Sequence, residues 1–167
     1  MEKKDLKPAG VFKYFEEICQ VPRPSKKEEK MIAYLKAFGA KHNLETKVDE
    51  AGNVLIKKPA TPGKENLQTV VLQSHIDMVC EKNNDVQHDF LTDPIETEID
   101  GEWLKAKGTT LGADNGIGVA TELAILADDS IEHGPLECLF TVDEETGLTG
   151  AFALKEGFMS GDILLNL

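Results

Sequence analysis

Apolar residues recur at helical intervals in the first forty residues of the chain. Within residues 8–21 the apolar positions fall three and four residues apart, and this spacing predicts an amphipathic helix. Two prolines within residues 22–24 end the pattern. Ser25 is followed three positions later by Glu28, which is the signature of a helix N-terminus, so a second helix is predicted that ends within residues 39–43.

Strand patterns dominate the middle of the chain and return near its end. Residues 46–49 and 53–57 flank a short turn that contains glycine, an arrangement typical of a β-hairpin. The centre of residues 69–73 is β-branched or apolar throughout, as in a strand that is covered on both faces of a parallel or mixed sheet. Residues 135–142 show a similar pattern, and residues 162–167 predict the beginning of a further strand.

Helical spacing returns at residues 115–127, and a shorter helix is predicted at 151–155. Residues 80–101 are polar with scattered aspartates and prolines, which predicts a long irregular loop with one short strand at 96–99. Helices that alternate with covered strands indicate an α/β fold. We therefore expect a three-layer sandwich around a mostly parallel mixed sheet.

The composition narrows the class of protein. With 167 residues, of which 41% are hydrophobic and 29% charged, the chain is long enough and apolar enough to form a packed globular domain. Its 18 basic residues are outnumbered by 30 acidic ones, and the net charge of −12 repels nucleic acids and anionic membranes. We therefore expect no nucleic-acid partner and no membrane partner.

The expected location follows from patterns that the sequence lacks. Residues 1–8 have no apolar stretch of the kind found in secretion signals, and no apolar run approaches the ~20 residues of a membrane span. The three cysteines are far apart in sequence and match neither a disulfide framework nor a zinc knuckle, which suits a reducing compartment. A soluble, cytoplasmic protein is predicted.

Adjacent carboxylates follow the strand predicted at residues 135–142. Asp143, Glu144 and Glu145 lie in a turn directly after it. Neighbouring anions at the end of a buried strand repel one another and resist desolvation, so a cation or a proton must compensate them. A divalent metal would do so, because one glutamate can bind it while the other acts as a base.

Further candidate ligands lie at the ends of other elements. His75 and Asp77 follow the strand predicted at 69–73, and Asp114 precedes the helix predicted at 115–127. In open α/β sheets, functional groups gather beyond the carboxyl ends of the strands. One imidazole with carboxylates suits Zn²⁺, and also Mn²⁺ or Co²⁺. Asp77 is expected to accept the second ring N–H of His75 and so to fix the tautomer.

Each of these features also has a structural explanation. A histidine two residues before an aspartate is common at surfaces and in cores, and an acidic turn is usually solvated. Asp114 alone can cap a helix. Their joint placement at one edge of the predicted sheet favours a metal centre. His88 is explained more simply by a contact within the long loop, and the sequence contains no nucleotide-binding glycine motif.

Three longer motifs carry a family resemblance. Residues 74–79, 108–118 and 141–147 resemble the N-terminal motifs of the two-zinc exopeptidase superfamily that contains aminoacylase and glutamate carboxypeptidase. The middle motif, together with residues 80–83 and 87–90, is similar to that of the bacterial aminoacyl-histidine dipeptidases, also called peptidase D or cytosol non-specific dipeptidases. The resemblance runs over essentially the whole chain.

The resemblance implies a role for each candidate residue. His75 would bind one zinc ion, Asp114 would bridge two, and Glu145 would bind the other. Asp77 would orient His75. Glu144 would be the general base that takes a proton from a bridging water and passes it to the leaving amine. The implied reaction is hydrolysis of Xaa-His and other dipeptides with two Zn²⁺, for which Mn²⁺ or Co²⁺ can substitute.

Members of this family are longer than 167 residues. The resemblance therefore implies that residues 1–167 are the N-terminal portion of a catalytic domain, with a lid or dimerisation domain and later ligands outside them. The whole enzyme is expected to be a homodimer, and the 167 residues alone are expected to be inactive and to bind zinc weakly. Two alternatives stay open: an N-acyl amino-acid deacylase of the same superfamily, and a metal-free interaction module on this fold.

Overall fold

A five-stranded sheet forms the centre of the computed structural model, which describes residues 2–167. Its strands are β1 (Glu45–Val48), β2 (Val54–Lys58), β3 (Val70–His75), β6 (Leu136–Thr141) and β7 (Ile163–Asn166), and a separate hairpin contains β4 (Thr97–Asp100) and β5 (Trp103–Ala106). The helices are α1 (Ala9–Cys19), α2 (Glu29–Lys41), α3 (Ala113–Ala127) and α4 (Thr149–Ala153), preceded by a short 3₁₀ helix (Lys3–Asp5). None of the helices in this part of the chain has the length and hydrophobicity needed to span a bilayer.

The strand order across the sheet is β1-β2-β6-β3-β7. Strand β3 runs parallel to both β6 and β7, whereas β2 is antiparallel to both β1 and β6. Of these five strands, four therefore point in one direction and β2 points in the other. The predicted α/β fold with a mostly parallel mixed sheet is confirmed.

One aspartate stabilises the turn of the β1–β2 hairpin. The carboxylate oxygen Oδ1 of Asp49 accepts hydrogen bonds of 2.9 Å from the backbone N–H groups of Ala51, Gly52 and Asn53. Gly52 has φ +102°, a conformation that glycine adopts readily because it has no Cβ. The turn thereby brings β2 back beside β1 and carries Asn53 towards the end of β6.

Helices α1, α2 and α3 pack against one face of the sheet. Their apolar faces match the helical spacing that the sequence shows, and each fully buried side chain stabilises the fold by roughly 1.5–3 kcal/mol relative to an exposed one. The largest fully buried side chains of these helices are Phe15, Ile18, Met31, Leu35, Leu123 and Leu126, which lie in one cluster with Ile56, Ile76 and Phe140.

The opposite face of the sheet has a smaller apolar cluster. Residues of the segment that follows α4 cover it, and the members of the cluster are Leu55, Val71 and Leu139, with Leu154, Phe158 and Met159 packed over them. Buried Glu137 ties this segment to the sheet, because its carboxylate accepts hydrogen bonds from Lys57 Nζ at 2.6 Å and from the Ser160 N–H at 2.8 Å.

Two local details differ from the sequence prediction. The sequence predicts Ser25 as the cap of α2, but the N-cap residue is Glu28. The hydroxyl of Ser25 instead donates a 2.7 Å hydrogen bond to Asp77. A hydrogen bond to a buried, ionised carboxylate is stronger than one at a solvated helix end. The sequence also gives no sign of β5. Its Trp103 is exposed, and the strand forms because it pairs with β4.

Candidate metal centre

The carboxyl ends of β3 and β6 lie side by side. The two strands are parallel neighbours, and their register pairs His75 with Thr141. The chain beyond β3 carries Asp77, and the turn beyond β6 carries residues 143–145. Because the ends of parallel strands meet at one edge of a sheet, the carboxylates predicted from two distant motifs converge there.

The first turn of α3 brings Asp114 to the same edge. Gly112 has a left-handed backbone with φ +67°, and Asp114 departs from helical geometry with φ −86° and ψ 111°. The irregular start of the helix directs the Asp114 carboxylate towards β3, where its Oδ1 lies 3.1 Å from Nε2 of His75. Glycine suits the turn because left-handed backbone is costly for other residues.

His75, Asp114 and Glu145 offer ligand atoms that all lie within 4.8 Å of one another. The His75 side chain is 7% exposed and that of Asp114 is 87% exposed, so the cluster is closed on the side of the sheet and open on the other. One imidazole nitrogen with carboxylate oxygens is a donor set that suits Zn²⁺ and its close substitutes. The residues present therefore fit a divalent metal in both chemistry and spacing.

Asp77 lies behind His75 and is fully buried. Its Oδ1 lies 3.2 Å from His75 Nδ1 and accepts a 3.0 Å hydrogen bond from the Glu144 N–H. Its Oδ2 accepts hydrogen bonds from the Ser25 hydroxyl at 2.7 Å and the Glu145 N–H at 3.2 Å. Burial acts to raise the pKa of Asp77, but these hydrogen bonds outweigh it and lower the pKa to about 2. One ionised carboxylate thus fixes both His75 and the backbone of the acidic turn.

The imidazole of His75 sits between anions. Burial acts to lower the pKa of His75, but the hydrogen bonds with Asp77 and Asp114 and the nearby Glu144 outweigh it and raise the pKa above its ordinary value. The Glu144 Oε2 atom lies 3.9 Å from Nε2.

Glu145 also has a shifted pKa. Burial raises the pKa of Glu145, the charge of His75 acts to lower it, and the neighbouring carboxylates raise it further. A proton on Nε2 and a metal ion bound there would compensate the same carboxylates, so the two compete for one position.

Two further side chains hold the acidic turn in place. Asn53 Oδ1 accepts a 3.1 Å hydrogen bond from the Val142 N–H, and Glu28 Oε1 accepts a 2.9 Å hydrogen bond from the Asp143 N–H. Asp143 itself has a left-handed φ of +48°, and the hydroxyl of Thr146 donates to its carboxylate at 2.5 Å. The backbone that presents the two glutamates is therefore fixed from both sides.

The structure brings into one site all the candidates that the sequence selected for catalysis and metal binding, namely His75, Asp77, Asp114, Glu144 and Glu145. His88 takes no part in this cluster, because its ring packs edge-on against Phe90 with the ring centroids 4.4 Å apart. The sequence did not reveal the supporting residues Ser25, Glu28 and Asn53. Their hydrogen bonds to the site span 52 to 115 positions of sequence, and no local pattern encodes such contacts.

Comparison with known proteins places this arrangement in a family. The sequence profile of Peptidase family M20/M25/M40 matches residues 71–165, which is more than half of the chain. The chain belongs to this family. The part that matches M20/M25/M40 peptidases contains β3, α3 and β6, the three elements that present the candidate ligands.

Two dipeptidases are similar to this M20/M25/M40 chain over nearly its whole length. The cytosol non-specific dipeptidase of Escherichia coli (strain K12) is 51% identical over 165 residues, which is 99% of this chain and 34% of the relative. The crystal structure of an aminoacylhistidine dipeptidase from Vibrio alginolyticus is 55% identical with a TM-score of 0.96, and it too is covered over 34% of its length. The chain thus spans about a third of these relatives. The resemblance read from the motifs is confirmed.

A second solved structure is more distant. The aminopeptidase PepT from Bacillus cereus ATCC 10987 is 26% identical, with a TM-score of 0.80 over 95% of this chain and 42% of its own. The arrangement of the sheet and helices is therefore shared with an exopeptidase whose sequence has diverged much further.

Proposed function

We propose that residues 1–167 form the N-terminal part of the catalytic domain of a metal-dependent dipeptidase that hydrolyses Xaa-His and other dipeptides. The observation that carries the proposal is the convergence of His75, Asp114 and Glu145, whose ligand atoms lie within 4.8 Å of one another. The names of the two dipeptidases that are 51% and 55% identical support the substrate class. Because these relatives are about three times as long, the proposal assigns later ligands and a lid to sequence outside these residues.

In the proposed enzyme, His75, Asp114 and Glu145 would hold two Zn²⁺ ions, and Mn²⁺ or Co²⁺ could replace them. Asp114 would bind both ions, consistent with its exposed carboxylate between His75 and the acidic turn. Zn²⁺ supplies Lewis acidity, which acidifies water and polarises the carbonyl of a peptide bond.

Asp77 acts through His75. An ionised carboxylate opposite Nδ1 favours the tautomer that carries its proton on Nδ1, and this tautomer leaves the lone pair of Nε2 directed at the ligand cluster. The hydrogen bond also makes the imidazole a stronger electron donor. Asp77 is therefore a positioning residue that sets which nitrogen of His75 faces the metal.

Glu144 is the proposed general base. Its backbone N–H is fixed to Asp77 at 3.0 Å, while its partly exposed carboxylate reaches within 3.9 Å of His75 Nε2. In the proposed reaction the Glu144 carboxylate takes a proton from the attacking water and delivers it to the nitrogen of the leaving amine. The neighbouring Glu145 offers a separate carboxylate to the cluster, so in the proposed enzyme Glu144 would transfer the proton and Glu145 would bind metal.

The name of the Escherichia coli relative supports a cytoplasmic location for the proposed enzyme. A dipeptide substrate is assigned in preference to nucleic acid because the chain has a net charge of −12. A homodimeric whole enzyme stays a prediction.

Metal titration of the 167-residue chain tests the ligand set. Calorimetry with Zn²⁺ is expected to show weak binding that His75→Ala reduces by roughly 100-fold or more, since even a residue that merely orients a ligand contributes about 10–100-fold. His88→Ala is the matched control, because that histidine packs on Phe90 outside the cluster. Equal losses in both variants, or none in either, would contradict the assignment and favour the metal-free interaction module.

A chimera tests the reaction. In it, the 165 residues of this chain that match the Escherichia coli dipeptidase replace the corresponding third of that enzyme, and the product is assayed with an Xaa-His dipeptide and with an N-acetylated amino acid. Glu144→Gln is expected to lower kcat by about 10²–10⁴ while metal content stays intact. Faster cleavage of the acylated amino acid would favour a deacylase, and a loss below tenfold would remove Glu144 from the role of base. The 167-residue chain alone is expected to be inactive.

A further inference from the structure

Arg23 is a buried cation between the two segments that carry the proposed ligands. It lies in the loop between α1 and α2 and is 2% exposed. Its Nη1 donates to the carbonyls of Ile76 at 3.2 Å and Asp77 at 3.4 Å, and its Nη2 donates to the carbonyl of Gly112 at 2.6 Å. One guanidinium therefore joins the chain just after β3 to the turn just before Asp114.

Two glycines make room for this guanidinium. A Cβ atom on Gly112 would lie 2.6 Å from Arg23 Nη2, and a Cβ atom on Gly116 would lie 2.7 Å from the same nitrogen. Contacts of that length essentially never occur, so neither position tolerates a side chain while Arg23 is in place. Asp114 lies midway between the two glycines in sequence, and the segment that presents its carboxylate rests directly on the guanidinium.

The two segments that Arg23 joins differ in how their backbones are held. On the side of β3, the carbonyl of Arg23 also accepts a 3.1 Å hydrogen bond from the Met78 N–H, and Pro24 and Met78 form an isolated β-bridge. The backbone thus secures this side whatever side chain occupies position 23. The turn at Gly112 is reached by the side chain of Arg23, so removal of that side chain should loosen this turn and leave the β3 segment in place. Asn115 Nδ2 would still donate to the Leu167 carbonyl at 2.6 Å.

We propose that Arg23 is a positioning residue that sets the place of Asp114 relative to His75 and thereby the affinity of the pair for a divalent metal. The inference rests on the proposed function, because it takes these two residues as ligands. Arginine suits the role because its planar guanidinium presents several donors in fixed directions, whereas the ammonium of lysine is a single point of charge. Residues that orient metal ligands typically contribute about 10–100-fold to affinity.

The test uses the 167-residue chain with Arg23→Gln and Arg23→Lys. Lys58→Met is the matched control, because the buried ammonium of Lys58 also donates to backbone carbonyls, those of Ile125 at 3.1 Å and Asp128 at 2.7 Å, but at the far end of α3. Each folded variant is titrated with Zn²⁺ by calorimetry, and its amide hydrogen exchange is measured by NMR well below its melting temperature.

Both Arg23 variants are expected to bind Zn²⁺ about 10–100-fold more weakly and to exchange faster within residues 112–116. The Gly116 N–H is the most direct probe, because its acceptor is the Gly112 carbonyl that Arg23 also binds. Residues 76–78 should keep their protection. Lys58→Met should lose stability and protection near residue 128 with its Zn²⁺ affinity unchanged, which separates positioning from a merely structural role.

Arg23→Lys is the decisive variant, because it keeps the positive charge and loses the planar arrangement of N–H donors. Wild-type affinity together with wild-type exchange at residues 112–116 in this variant would overturn the proposal, and it remains decisive if Arg23→Gln does not fold. If the unmodified chain binds no Zn²⁺, this counts against the ligand set of the proposed function, and exchange at residues 112–116 tests Arg23 by itself: wild-type exchange there in Arg23→Lys overturns the proposal.

Discussion

Asp77 and Glu122 are both fully buried acids, yet their surroundings are opposite. Asp77, beyond the end of β3, accepts hydrogen bonds on both oxygens, and its pKa falls to about 2. Glu122 lies in α3, and within residues 2–167 its oxygens have only contacts with the Ser74 hydroxyl and the Cys138 thiol that fall short of normal hydrogen-bond geometry. Burial therefore raises the pKa of Glu122 well above its ordinary value.

Depth alone does not decide the charge of a buried carboxyl group. The number of donors directed at it does, because each N–H or O–H replaces part of the hydration that burial removes. At the edge of the sheet the donors keep an anion beside the candidate metal site. Further along α3, burial outweighs the weak donors and raises the pKa of Glu122. Burial, with a further contribution from the charge of the nearby Glu122 carboxylate, also raises the pKa of the Cys138 thiol.

The largest expected effect comes from Asp77→Asn. The amide would turn an NH₂ group towards N–H donors that now meet a carboxylate, so buried donors lose their acceptor. We expect the free energy of unfolding to fall by roughly 3–5 kcal/mol, as when one partner of a buried charged pair is removed. Urea denaturation at pH 7 measures the loss. A decrease below about 1 kcal/mol would show that the donors around Asp77 do not depend on its charge.

The same residue predicts a dependence on acid. The folded-state pKa of about 2 lies below the ordinary value of 3.8, so the stabilisation is fully present above pH ~4 and is lost as the pH falls towards 2. The shift corresponds to about 2.5 kcal/mol. Denaturation curves between pH 2 and 5 should contain this contribution in the unmodified chain and lack it in Asp77→Asn.

Glu122→Gln should have the opposite sign. Because the pKa of Glu122 is raised in the folded state, deprotonation favours the unfolded chain once the pH exceeds ~4.3, and stability falls with rising pH until the folded-state pKa is reached. The glutamine variant removes this loss, so its advantage should grow by up to ~1.4 kcal/mol per pH unit. Denaturation at pH 5, 6, 7 and 8 measures it.

Glu137→Gln is the control for this substitution. Glu137 is also buried, but it accepts hydrogen bonds from Lys57 and Ser160, and its pKa is lowered because these bonds outweigh burial. That variant should be less stable than the unmodified chain at neutral pH. Stability changes of the same sign in the two glutamine variants would show that hydrogen-bond donors do not determine the charge of these two buried acids.

The smallest expected effect belongs to Ser25→Ala. It removes one donor from Asp77 and leaves the backbone donors in place, so a loss of about 1.5 kcal/mol is expected, as for a single hydrogen bond to a charged group. Ser130→Ala removes a similar bond between an exposed serine and Asp128 and should change stability by less than ~0.5 kcal/mol. Indistinguishable losses would mean that the Ser25 hydroxyl contributes nothing specific to the ionised state of Asp77.

These residues also mark how far the sequence could predict the structure. His75, Asp114 and Glu145 were predictable because each lies at the end of an element whose apolar pattern is visible locally. The parallel pairing of β3 with β6 then brings them together, as expected for the ends of parallel strands. The β1–β2 hairpin likewise follows local spacing.

The supporting contacts were beyond the reach of local pattern. Ser25 has the sequence context of a helix cap, and its real partner, Asp77, lies 52 positions away. Arg23 follows a proline in what the sequence presents as a loop, and nothing near it shows that the guanidinium is buried. Glu122 lies in a helix, where a glutamate side chain is normally exposed to solvent. Each depends on which elements meet in space.

The pairing of β3 with β6 has a consequence for the order of folding. The long loop, the β4–β5 hairpin and all of α3 lie between these two strands in sequence, whereas β1 and β2 are joined by a tight turn. Closing a long connection costs more chain entropy than closing a short one, and distant contacts slow folding. We expect pulse-labelled hydrogen exchange during refolding to protect β1 and β2 first and the amides of Ile76 and Glu144 last. The chemistry of this chain would then be assembled only at the final stage of its folding.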